Sequence, residues 1–303
     1  MSFTAKDVQA LREKTGCGMM DCKKALVETN GDMDAACDYL REKGLASQAK
    51  KASRIAAEGT VCTYNNDGVG VVVELNAETD FVANGEDFKA LALRVATIIA
   101  KQNPADVDAL LKCEKDGMTV EAKVQELFLA IRENIKVRRF DRFEGKVVSY
   151  VHAGGKIGVL VNFETELAAD NEGLVTMGKN IAMQIAAMNP AYLDQASVPA
   201  SVIEKEKEIL VAQMKEDPKM ANKPDAVLGK IVEGKIGKYY KENCLVEQAF
   251  VMDGDLTVGK YIANTAKELG AEVKLAAYVR FEKGEGIEKR VDDFAAEVAA
   301  MAK

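Results

Sequence analysis

The chain has 303 residues, with 41 Lys and Arg against 48 Asp and Glu and a net charge of −7. At this length roughly three quarters of the unfolded surface can be buried, so the fold needs no disulfide or metal staples. The acidic balance argues against a general nucleic-acid binder, which would show a basic face.

Two local basic stretches, Lys50-Lys51 with Arg54 and Arg138-Arg139 with Arg142, stand among acidic residues and read as solvated surface. The segment Met1 to Asp7 lacks the apolar core of a signal peptide, and no apolar run reaches the ~18 residues of a membrane span. The six cysteines, at 17, 22, 37, 62, 113 and 244, include no Cys-x-x-Cys pair, and His152 is the single histidine. That spacing argues against zinc. These features lead to the expectation of a cytoplasmic protein with buried, reduced cysteines and no metal or cofactor.

In chain order, the first 44 residues read as three short helices. Thr4 and Asp7 form a capping box ahead of Val8 and Leu11, and Thr15-Gly16 stops that helix. Met19, Cys22 and Leu26 recur at helical spacing up to Asn30-Gly31, and Met33, Ala36, Cys37 and Leu40 repeat the pattern up to Gly44. Ala46 to Arg54 reads as a linker or linker helix.

An internal repeat follows. Glu58-Gly59-x-Val61-x-x-Tyr64 returns 86 positions later as Glu144-Gly145-x-Val147-x-x-Tyr150. Glu78-Thr79-Asp80-Phe81 and Asn103-Pro104 return at the same offset as Glu164-Thr165-Glu166-Leu167 and Asn189-Pro190. Each copy reads as strand, turn, strand, a short acidic loop and a helix. The first has strands over 60–64 and 69–75 and a helix faced by Phe88, Leu91, Ala92, Val95 and Ile99. The second has strands over 146–151 and 157–163 and a helix over about 171–188. Two such units imply an α+β core with antiparallel sheets.

Ser201-Val202-Ile203-Glu204 reads as a capping box opening a helix that ends near Asp217-Pro218. Pro224 opens a second helix to about Tyr240, and the two make an antiparallel hairpin. Strict alternation from Val273 to Phe281 predicts a half-buried strand over 271–282, and a terminal helix is expected over about 288–302. The expected domains are 1–53, a first core half over 54–140, and a second half over 141–190 with 245–282. The hairpin takes 191–244 and the C-terminal helical module 283–303.

The chain carries no phosphate-binding glycine motif of the usual kinds. Gly154-Gly155-Lys156-Ile157-Gly158 sits between two strands and reads as a hairpin turn. No nucleophile motif stands beside His152. Thr79-Asp80-Phe81-Val82 differs, because it sets an apolar pair where loops are polar. That pair either tucks into the core or forms an exposed prong that marks an interaction site.

Over its whole length the sequence resembles the bacterial elongation factor Ts family, exchange factors for elongation factor Tu. Leu11-Arg12-Glu13-x-Thr15-Gly16-x-Gly18-Met19-Met20-Asp21-Cys22-Lys23-Lys24-Ala25-Leu26 is similar to the family's N-terminal signature, and Thr79-Asp80-Phe81-Val82-Ala83 to its second. Ile157 to Val161 after His152, Ile181-Ala182-Met183, Phe250-Val251-Met252 and Arg280-Phe281-Glu282 also match. Ala77-Glu78 and Ala249 depart from the family pattern.

The resemblance implies a ubiquitin-associated-like N-terminal module, a core of two similar halves, and an inserted helical hairpin of coiled-coil type. It implies a non-catalytic factor that binds the GDP form of elongation factor Tu, disturbs magnesium and phosphate binding, and stays until GTP displaces it. Thr79, Asp80, Phe81 and Val82 would be the dislocating contact with Phe81 as wedge, and Arg12, Met19, Met20 and His152 secondary contacts. No direct binding of nucleotide, nucleic acid or membrane is expected. Whether the hairpin self-associates in a dimer, contacts the partner or does neither stays open.

Overall fold

The computed structural model describes residues 3–216 and 224–288, so the expected terminal helix lies outside the described residues. The chain opens with α1 (Ala5–Thr15), α2 (Met19–Glu28) and α3 (Met33–Lys51). Thr4 caps α1 reciprocally: its side chain accepts from the Asp7 N–H, and the Asp7 carboxylate accepts from the Thr4 N–H at 2.7 Å. Val8, Leu11, Cys17, Cys22, Leu26 and Leu40 enclose a small core of their own. The expected stop at Gly44 is corrected, because α3 runs on to Lys51. Gly44 faces the Leu129 side chain so closely that a Cβ there would overlap it. This glycine marks a close helix–helix approach.

Strands β1 (Glu58–Asn66) and β2 (Val69–Ala77) pair antiparallel across Asp67-Gly68. Both turn residues have positive φ, 50° and 74°, the tight hairpin turn that suits twisted strands. Then come α4 (Asp80–Asn84), α5 (Glu86–Gln102), α6 (Val107–Lys112), the two-residue strands β3 (Glu114–Lys115) and β4 (Met118–Thr119), and α7 (Val120–Ile131). A strand the sequence reading did not contain, β5 (Lys136–Glu144), pairs with the free edge of β2. The boundary expected at 140/141 falls inside it.

The second half repeats the plan with β6 (Lys146–His152), β7 (Ile157–Glu164) and α8 (Glu172–Met188). The helical hairpin follows as α9 (Ala200–Glu216) and α10 (Asp225–Asn243), closed on Leu210, Met214, Val232 and Ile236. Ser201 lies inside the first turn of α9, so the expected capping box is not the helix start. Finally β8 (Ala249–Phe250), β9 (Asp253–Thr257) and α11 (Val258–Glu268) lead to β10 (Lys274–Glu282), which pairs with β7.

The result is a mixed α+β architecture with two antiparallel three-stranded sheets, ordered β1-β2-β5 and β10-β7-β6. Alternation along the central strands decides the layering. Val71, Val73 and Leu75 of β2 point at α5, and Val159, Val161 and Phe163 of β7 point at α8. The intervening Val72 and Leu160 meet each other's sheet together with Val61, Val147 and Phe281. The order is therefore helix, sheet, sheet, helix. The inter-sheet contact is reciprocal: Gly70 receives Val147, and Gly158 receives Val61. No helix among the described residues is long and apolar enough to cross a membrane.

The basic stretch at 138–142 is turned to internal use. Arg138 and Arg139 pair at 3.0 and 2.6 Å with Glu74, whose side chain is fully buried. Burial pushes this carboxyl up, but the Gly284 N–H, the two guanidiniums and Asn76 together outweigh it and leave it below the usual range.

Candidate functional site

Residues 78–85 connect β2 to α5, and the expected acidic loop there is largely a single helical turn, α4. Thr79 caps it: with φ −124° and ψ 154° it is extended, and its Oγ1 accepts from the Val82 N–H at 3.3 Å. The apolar pair splits. Val82 is buried beside Ala83, Phe88 and Leu91, while Phe81 is 86 % exposed, the highest value among the large hydrophobic side chains of the described residues. Asp80 is exposed and its carboxylate has no hydrogen bond or ion pair among the described residues, so the cap of the turn comes from Thr79. A shallow cleft lined by Phe81, Asn84, Glu86, Phe88 and Ile131 lies beside the prong.

The turn is held from outside by the segment after α7. Glu133 accepts from the Thr79 N–H at 3.0 Å and from the Thr79 hydroxyl at 2.7 Å. In return Glu78 accepts from the Asn134 N–H at 2.7 Å. Asn134 is itself buried and donates its side-chain N–H to the Arg54 carbonyl at 2.7 Å, and Glu78 pairs with Arg54 at 3.3 Å. Each segment thus lends a carboxylate to the other's backbone.

The other expected residues fall in two places. Arg12 lies exposed on α1, and Met19 and Met20 are exposed at the start of α2. The same junction reaches this module, since Arg132, in left-handed conformation at the end of α7, pairs with Asp21 of α2 at 2.7 Å. His152 stands apart at the end of β6, where its Nδ1 lies 3.0 Å from the Tyr150 hydroxyl. Its hydrogen-bond and ring contact among the described residues is Tyr150, not Thr79–Val82. Gly154 and Gly155 form the β6–β7 turn, as expected, and the Gly155 carbonyl accepts from the Val61 N–H at 2.8 Å, tying this turn to the first sheet.

The family model described as "Elongation factor TS" matches residues 78–285, more than half of the chain. Among curated proteins, the elongation factor Ts of Syntrophotalea carbinolica is 50 % identical over the whole of both chains. Those of Clostridium perfringens and Magnetococcus marinus are 49 % and 47 % identical over 99 % of each chain. The chain belongs to the elongation factor Ts family. It is accordingly a translation elongation factor of the nucleotide-exchange class, not an enzyme in the usual sense.

Around Phe81 the geometry joins exposure to anchorage. An exposed ring stands on a turn anchored by buried Val82 and Ala83, and no group of His, Cys, Asp and Glu among the described residues is placed to hold a metal ion. Sequence reasoning missed Glu133 and Asn134. They lie 54 and 56 positions from Thr79 and Glu78, and no local pattern joins such distant positions.

Proposed function

We propose that the chain binds the GDP form of elongation factor Tu, disturbs its magnesium and phosphate contacts, promotes GDP release and remains bound until GTP displaces it. The observation that carries this reading is the exposure of Phe81 on a capped, clamped turn. Exposed apolar residues on rigid elements mark interaction sites, and burying one Phe contributes about 1.5–3 kcal/mol. That helps to drive a small rearrangement around a magnesium-held phosphate. Coupling is reciprocal, so a factor that weakens nucleotide binding is itself weakened by nucleotide to the same degree, and GTP ends the encounter.

Thr79 and Val82 serve as the mount of Phe81, and Asp80, free at the first position of the turn, faces the partner. Arg12, Met19 and Met20 form a second contact, and His152 a third on the other half. The likeness to known family members also supports reading residues 1–53 as a ubiquitin-associated-like module and 191–244 as an appended coiled-coil-type hairpin. The two core halves divide near 144/145, between β5 and β6.

The test is release of fluorescent GDP from elongation factor Tu with and without the chain. Faster release with the chain, competed by excess GDP, is expected. An unchanged rate with a folded chain would overturn the reading.

A further inference from the structure

Glu133 belongs to none of the motifs that carry the family resemblance, yet among the described residues its side chain is the one from outside the turn that hydrogen-bonds Thr79. A serine or threonine hydroxyl has one proton and two lone pairs, so where the proton goes decides what the oxygen can accept. The Glu133 carboxylate takes that proton at 2.7 Å, which leaves the Thr79 Oγ1 lone pairs free for the Val82 N–H at 3.3 Å. The other carboxylate oxygen takes the Thr79 N–H at 3.0 Å, fixing the backbone one residue before α4. A five-residue helix has too few internal hydrogen bonds to hold itself, since nucleation of a helix is unfavourable. Its direction must come from the cap and from Val82 and Ala83 below.

We propose that Glu133 is a positioning residue for nucleotide exchange: it sets the Thr79 cap and thereby the direction in which Phe81 projects. Arg132 and Asn134 extend the same role. Through Asp21 on one side and the Arg54 carbonyl on the other, this three-residue junction holds the N-terminal helices in fixed relation to the Phe81 turn. The surfaces carrying Met19, Met20 and Phe81 are then presented as one preorganised unit, which lowers the ordering cost of docking. This inference rests on the reading of Phe81 as the exchange contact.

Because Thr79 is exposed, Glu133→Ala returns its N–H and hydroxyl to water, and thermal stability stays close to that of the parent. Hydrogen exchange at the Val82 and Ala83 amides quickens, and stimulated GDP release slows roughly fivefold, the scale of a lost helix cap. The decisive measurement is the double-mutant cycle with Phe81→Ala. If Glu133 acts through the ring, Glu133→Ala adds nothing to Phe81→Ala, and the two single effects are not additive. Equal slowing by Glu133→Ala in both backgrounds would overturn the proposal, as would full-rate release by Glu133→Ala alone. If Phe81→Ala itself releases GDP at the full rate, the underlying reading of Phe81 fails, a distinct result from the same experiment.

Discussion

At matching positions of the repeat, 86 residues apart, the first half carries Phe81 and the second Leu167. Phe81 stands out in solvent on α4, whereas Leu167 is half-buried against the core of its own half and its segment forms no helix. The helices that follow correspond residue for residue, Glu86–Gln102 with Glu172–Met188, and both end on an asparagine in left-handed conformation. The difference begins one hairpin earlier. The first half turns in two residues, Asp67-Gly68, and the second in four, Ala153 to Lys156. Two residues gained there are recovered before α8, which leaves the second half without room for the extra helical turn. A length change at one end of a hairpin thus leaves one copy as scaffold and the other with a prong.

Under substitution, the largest effects lie where the halves are alike. Phe88 and Leu174 occupy the same place, and both are fully buried. Truncation to alanine is expected to cost about 3–5 kcal/mol at Phe88 and about 2–5 kcal/mol at Leu174, measured by denaturant unfolding. A small cost at either site would show that the two cores are not built alike.

Next come the positions where they differ in packing. Gly178 on α8 corresponds to Ala92 on α5, and a Cβ at 178 would lie 2.5 Å from the Val148 side chain. Gly178→Ala is expected to destabilise by about 1–3 kcal/mol through overpacking. An unchanged midpoint would mean that α8 can back away from its sheet. Leu167→Ala is expected to cost only about 1 kcal/mol, as a half-buried side chain, and to leave GDP release untouched.

The smallest effect is in pH. Glu74 of β2 is charged and paired, whereas the corresponding position in β7 is Asn162. Since the folded carboxyl titrates below its ordinary 4.5, its contribution is complete above that pH and is lost as pH falls through the lower folded value. Acid unfolding curves should therefore lose this slope in Glu74→Gln. A slope that persists would place the acid sensitivity elsewhere.

Much of this was legible in the sequence because the repeat preserves its apolar stripes. Phe88, Leu91, Val95 and Ile99 marked α5, and alternation marked β10. Strand β5 was not legible: Lys136 to Glu144 is crowded with arginines, and a bulge between Val137 and Arg139 shifts the period. Gly44 misled because a glycine chosen for close packing on Leu129 looks like a helix stop. The prong was half legible. Phe81 and Val82 stood out as an apolar pair, but a five-residue helix shows no periodicity to separate an outward Phe from an inward Val. The Glu133 clamp left no local trace at all, because it exists only when residues 54 apart meet.

The central claim is that Phe81 serves the partner and not the fold. Phe81→Ala, melted and assayed for fluorescent GDP release from elongation factor Tu in the same preparation, tests it most directly. The account predicts an unchanged melting temperature and release slowed roughly ten- to a hundredfold, as for a central aromatic anchor. A variant that melts several degrees lower, or one that melts normally and still drives release at the full rate, would contradict it.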